Sequence, residues 1–169
     1  VCTIEMFGGS CRLTRALESF GFEAVAVDWC SNRSKPEAKC INIDLTTEKG
    51  RQLLWKMLQA KTTKLRFVHL APPCGTASRA REIPVAAHLK RKSAPEPKPL
   101  RSIQWPEGVP GLRGDDAVRI GKANDLYALT AEVVRWCDEA GIAWCIENPS
   151  RSLFWCVPCI ASAMHDCRH

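Results

Sequence analysis

In the stretch VHLAPPCGTASRARE, residues 68 to 82, an apolar run stops at Pro72-Pro73, and Cys74 follows with small residues and two arginines behind it. A thiolate is a potent nucleophile, and nearby positive charge or a helix N-terminus favours its formation. Some 70 residues later, CIENPS closes another apolar run on an acid and an amide, Glu147 and Asn148. A cysteine at a strand end is most often inert. The two prolines before it and the Glu-Asn pair make Cys74 a candidate nucleophile.

A second constellation lies near the N-terminus. In EMFGGSCRL a strand runs into Gly8-Gly9 and then a helix, which brings backbone N–H groups at a helix start close to a ligand. Asp28 stands 21 residues after Phe7 at the end of the next strand, where a carboxylate can accept both hydroxyls of a ribose. Asp44 ends a third strand, near where an adenine would lie; its alternative role is helix capping.

The elements that must position these residues alternate between strand and helix patterns. Residues 2–7, 22–28, 39–45, 65–71 and 142–147 read as strands. Helices are expected over 12–21, from Thr46 or Thr47 to about Lys61 with Leu53, Leu54, Met57 and Leu58 facing inward, and over 117–140. This order predicts an α/β fold with a mostly parallel sheet and helices on both faces. Such sheets bind ligands at the carboxyl ends of their strands, where Phe7, Gly8, Gly9, Asp28, Asp44, Cys74 and Glu147 all fall.

Between residues 79 and 116 the pattern fails in a Pro/Gly-rich insertion. From Arg79 to Arg101, seven basic residues (Arg79, Arg81, Lys90, Arg91, Lys92, Lys98 and Arg101) stand against Glu82 and Glu96, so +5 of the net charge of +6 is local. The segment reads either as a solvated insertion or as a loop that tracks a phosphate backbone.

At 169 residues, 46% hydrophobic and 25% charged, the chain fits one globular domain. Its longest apolar runs fall well short of the roughly 20 residues needed to cross a bilayer, so no membrane span is expected. No secretory signal is recognisable, and the ten cysteines are read as reduced thiols in an intracellular compartment. A zinc site from Cys156, Cys159, His165, Cys167 and His169 is weighed, but the ligand spacing favours a packed strand at ASAMHDC, and no metal is expected.

Together EMFGGSCRLTRALESFGFEAVAVD, INIDL, APPCGTAS and CIENPS resemble, in order and spacing, the motifs of the DNA cytosine-5 methyltransferase family over residues 3 to 150. The resemblance implies a Rossmann-like S-adenosylmethionine-dependent methyltransferase fold. It implies S-adenosylmethionine as cofactor, bound by Phe7, Gly8, Gly9, Ser10, Asp28, Asp44 and Pro72. Cys74 would add to carbon 6 of cytosine, and Glu147, protonated in a dry pocket, would donate to ring nitrogen 3. Ser78, Arg79, Arg81 and Asn148 would hold the substrate or the loop around it. The partner would be DNA with its cytosine flipped out or single-stranded, and a monomer is favoured.

The chain departs from the family pattern at Cys11 and Arg12, at Gly75 and Ala77, and at Pro149. Residues 1–169 are expected to be the catalytic-core portion of a longer chain, without the target-recognition region. Two rivals remain: an inactive S-adenosylmethionine-binding or scaffold module, and a dinucleotide-dependent oxidoreductase suggested by Gly8-Gly9 and Asp28.

Overall fold

The computed structural model describes residues 1–32, 34–86 and 97–167. Among these, β1 (Cys2–Met6), β2 (Glu23–Asp28), β3 (Cys40–Asn42), β4 (Leu65–Leu70) and β5 (Ala143–Ile146) pair into one all-parallel sheet, in the order β3-β2-β1-β4-β5. β1, in the middle, is buried along its whole length, as a parallel strand covered on both faces must be.

Parallel neighbours require crossovers. α1 (Arg12–Ser19) joins β1 to β2, α2 (Glu48–Lys61) joins β3 to β4, and α3 (Gly114–Glu139) lies between β4 and β5. The chain steps outward from β1 to β3, then returns past β1 to β4 and β5. Right-handed connections therefore put α1 on one face and α2 with α3 on the other. The side chains agree: Glu5 reaches α1, accepting from the Thr14 amide and hydroxyl at 2.8 and 2.5 Å. Trp55 of α2 meets Trp136 of α3 edge-on at 6.0 Å. The expected α/β architecture is present, and the reversal between β1 and β4 opens a crevice at the strands' C-terminal ends.

There the ladder runs on past the strands. Phe7 N–H donates to the Val27 carbonyl (2.8 Å), Ile43 to Asp28 (2.9 Å), Ala71 to Met6 (3.1 Å) and Glu147 to Leu70 (2.8 Å). These bonds fix the first residue after β1, β3, β4 and β5 and set those four loops side by side.

The helices start for identifiable reasons. α1 has no side-chain cap at Cys11, and buried Glu5 satisfies its first turn instead. Thr47 caps α2 by accepting from Gly50 N–H at 3.1 Å. The buried stripe of α2 runs Gly50, Leu54, Leu58, which corrects one expectation: Leu53 lies off this i, i+4 line and is 51% exposed. α3 begins at Gly114, three residues before the expected start, with Asp115 and Asp116 complementing the helix dipole.

The strand expected at ASAMHDC is a helix, α4 (Pro158–Asp166). Pro158 pre-sets its first turn, and Ile160 and Ala163 are buried where α4 packs on α3, so the small residues serve a helix contact rather than a sheet. Arg101 is the other correction. Counted with the basic stretch, it is 2% exposed beside fully buried Leu100. Lys90, Arg91, Lys92 and Glu96 lie outside the described residues. No helix among the described residues is long and apolar enough to cross a membrane.

A Cβ at Gly50 would run into the Asp44 carbonyl oxygen, a backbone atom that cannot swing away. Gly50→Ala should therefore destabilise the fold by about 1 to 3 kcal/mol despite alanine's better helix propensity. Urea unfolding checks this.

Candidate active site

A cleft of about 500 Å³ opens at the strand ends, lined among others by Phe7, Asp28, Trp29, Asp44, Thr76 and Leu126. That is the size range of small-molecule sites. Phe7 enters it from a left-handed backbone conformation (φ 60°), uncommon for a bulky residue. Gly9 continues in the same region (φ 56°), and a Cβ at Gly8 would stand 3.1 Å from that of Ala26, so the turn sits directly against β2. Asp28 ties this turn down: its carboxylate accepts from the Gly9 amide, the Trp29 amide and Asn32 Nδ2, each at 2.6 Å. Three donors leave about one acceptor position of a carboxylate's four free for a ligand hydroxyl.

Asp44 is exposed. The Thr46 hydroxyl and amide donate to its Oδ1 at 2.6 and 3.0 Å and hold its carboxyl below the usual range, with Lys122 adding a smaller pull. Ser10, Gly8, Gly9 and Pro72 do not line the cleft, nor do Cys74 and Glu147, whereas Pro73, Gly75 and Thr76 of the Cys74 turn do.

On the other side of the crevice, the turn that carries half-buried Cys74 is held at every carbonyl from Pro72 to Gly75. Asn148 Nδ2 donates to Pro72 (3.0 Å), and the Tyr127 hydroxyl donates to Pro73 (2.8 Å). The amides of Ala77 and Ser78 donate to Cys74 (2.9 and 2.8 Å), and Arg81 Nη1 donates to Gly75 (3.3 Å). Leu153 N–H reaches the Ala77 carbonyl at 2.9 Å. Thr76 Oγ1 accepts from Arg101 Nε and Nη2 at 3.2 and 3.0 Å. The Arg101 guanidinium lies 5.0 Å from the centre of the Tyr127 ring, which meets Phe154 edge-on at 4.9 Å.

Glu147 and Asn148 thus adjoin the Cys74 turn, through the Asn148 to Pro72 bond. Asn148 is buried; Glu147 is exposed, and the described residues do not form the dry pocket expected around it. Of the residues expected on a substrate, Ser78 caps the short 3₁₀ turn Arg79–Glu82 by accepting from the Ala80 amide. Arg79 pairs with Glu82 at 3.0 Å, and Arg81 donates to the Lys98 carbonyl at 2.9 Å. Among the described residues no cluster of His, Cys, Asp or Glu is arranged to hold a metal; His169 lies outside them.

Sequence reasoning missed Arg101, Tyr127 and His69. Tyr127 is the chain's single tyrosine, on an apolar stripe of α3, and a phenol hydroxyl among core residues was a legible signal. Arg101 stands in a Pro-rich basic stretch where nothing local marks burial. His69, on β4, is pushed toward neutrality by burial, with Glu5 and Glu147 pulling the other way, and its Nδ1 meets no partner among the described residues.

No protein-family profile, curated protein or solved structure matches the chain. Fold and geometry define an α/β protein with a strand-end cleft beside a fixed, thiol-bearing turn.

All ten cysteines are free. Burial pushes the Cys11 and Cys137 thiols from 9.0 up to about 12. Their raised folded values make the stability they lend whole below pH 9, where the unfolded thiols are neutral too. It is lost as pH rises from about 9 toward about 12, by up to about 1.4 kcal/mol per pH unit and thiol. Unfolding free energies should hold from pH 8 to 9 and fall toward this slope from pH 9 to 10, and Cys137→Ala should flatten the fall.

Proposed function

We propose that the chain is the catalytic core of an S-adenosylmethionine-dependent DNA cytosine-5 methyltransferase, with a Rossmann-like methyltransferase fold and DNA as its partner. One observation carries this reading: Asn148 binds the Pro72 carbonyl, which brings the Glu-Asn strand end against the Pro-Pro-Cys turn, while Pro73 and Thr76 of that turn line the cleft. A thiol-bearing turn that lines a nucleoside-sized cleft and is tied to an acid's strand end suits methyl transfer to a base.

The cleft's residues fit the cofactor. Asp28 has an acceptor position left for a ribose hydroxyl, and exposed Trp29 offers an aromatic face for an adenine. When bound, the cofactor supplies an electrophilic methyl group. Cys74, as thiolate, adds to carbon 6 of cytosine and makes carbon 5 nucleophilic. Glu147 donates a proton to ring nitrogen 3 during addition, and Asn148 keeps the acid's strand end in register with the thiol's turn. After carbon 5 has taken the methyl group, its proton passes to water, nitrogen 3 gives its proton back to Glu147, and the Cys74 sulfur leaves as thiolate, which restores the ring. The base must be flipped or single-stranded to meet Cys74, and the basic stretch from Arg79 to Lys98 suits a phosphate backbone. The exposure of Glu147 favours a second reading, a cofactor-binding module without catalysis.

Thermal shifts should rise with S-adenosylmethionine and its homocysteine product and not with NAD(H). Asp28→Ala should weaken cofactor binding about ten- to a hundredfold, the loss of a charged hydrogen bond worth roughly 1.5 to 3 kcal/mol; unchanged affinity removes Asp28 from the site.

DNA carrying 5-fluorocytosine should form a covalent adduct with Cys74, because fluorine cannot leave as a proton does. The adduct should require S-adenosylmethionine, vanish in Cys74→Ser and drop sharply in Glu147→Gln. Cofactor binding without any adduct, on duplex or single-stranded DNA, makes the non-catalytic module the correct reading.

A further inference from the structure

We propose that Arg101 is a positioning residue for Cys74: its buried guanidinium holds the thiol-bearing turn in one conformation before any substrate arrives. The role assigned to Arg101 rests on the reading of Cys74 as the nucleophile.

The partners of Arg101 are unusual for a charge this deeply buried. Nε and Nη2 both donate to Thr76 Oγ1, and Nη1 donates to the Pro106 carbonyl at 2.5 Å and Asn124 Oδ1 at 2.8 Å. Its fifth contact is the face of Tyr127. Every partner is neutral, and among the described residues no carboxylate stands within ion-pair distance of it. Glu107 acts on it only from beyond ion-pair distance, and burying a guanidinium without a paired carboxylate is a poor way to gain stability, since an apolar side chain of similar volume would avoid the desolvation cost. What the planar fork supplies is direction. It joins Thr76, two residues from the thiol, to α3 through Asn124 and to the Pro106 turn. The same Tyr127 that stacks under it holds the Pro73 carbonyl. Arg81 adds a second tie, from the Gly75 carbonyl to the Lys98 carbonyl. Residues 81 and 98, and residues 76 and 101, are therefore cross-linked by hydrogen bonds, and both feet of the basic stretch stand on the Cys74 turn.

Three variants test this. Thr76→Val removes the acceptor at constant shape, Thr76→Ser keeps it, and Arg101→Met removes the donor. By NMR-detected hydrogen exchange, the Ala77 and Ser78 amides, which bond to the Cys74 carbonyl, should exchange about five- to tenfold faster in Thr76→Val and Arg101→Met. They should return to wild-type rates in Thr76→Ser, with the amides of β1 and β4 unchanged throughout. In methyl transfer kcat should fall by a similar factor in Thr76→Val and recover in Thr76→Ser. Unaltered exchange at Ala77 and Ser78 overturns the proposal. So does faster exchange of β1 and β4 in step with them, or a loosened turn with unchanged kcat. If Arg101→Met does not fold, the Thr76 pair decides alone. If the wild-type protein transfers no methyl group while the exchange pattern holds, the hold on the turn stands and the methyl-transfer reading is what fails.

Discussion

Two consecutive prolines offer two carbonyls and no amide. Pro72 and Pro73 therefore cannot continue the parallel ladder beyond Ala71, and their carbonyls need donors from elsewhere. Asn148 and Tyr127 supply them from two other elements, β5's end and α3. Those bonds fix the path of the turn, and the turn fixes Cys74. An amide-bearing residue at either position could have found local partners. Prolines force the connection outward, and so couple the thiol to the sheet edge and to the long helix beneath it.

The sheet explains why the two constellations meet at one edge. β1 and β4 are neighbours from which the chain departs in opposite directions, so the glycine turn after β1 and the proline turn after β4 flank one crevice. The two turns are braced differently. The glycine turn is braced by a carboxylate, Asp28, which three donors already occupy. The proline turn is braced by neutral donors, the buried Arg101 and the half-buried Arg81. On the proposed reading, a ligand hydroxyl arriving at Asp28 takes the one acceptor position its three donors leave, whereas a substrate at Cys74 meets a turn whose carbonyls are already engaged away from it.

The parallel sheet was legible in the sequence because each strand is a short apolar run ending in an acid, a glycine pair or a proline pair. The convergence of Phe7, Asp28, Asp44 and the Cys74 turn followed from that topology. The misreadings share one cause. Leu53, α4 and Arg101 are decided by which neighbour packs where, and a local pattern carries no such information: ASAMHDC suits a strand until Pro158 and the surface of α3 are considered. An arginine among prolines and lysines reads as solvated until Thr76, Asn124 and Tyr127, residues 25, 23 and 26 positions away, close around it.

Glu147 shows where preorganisation stops. The backbone under it is fixed by its bond to Leu70 and by Asn148, yet its carboxyl faces water. The thiol side of the site is built into the free protein, and the acid side is built only up to the main chain. Dry surroundings for a carboxyl are costly to maintain without a partner to satisfy it. A flipped base laid against β5's end would exclude water and supply that partner at once. On the proposed chemistry the division is physically reasonable: the nucleophile must be aimed before the base arrives, while the acid needs its low-dielectric surroundings only while the base is there.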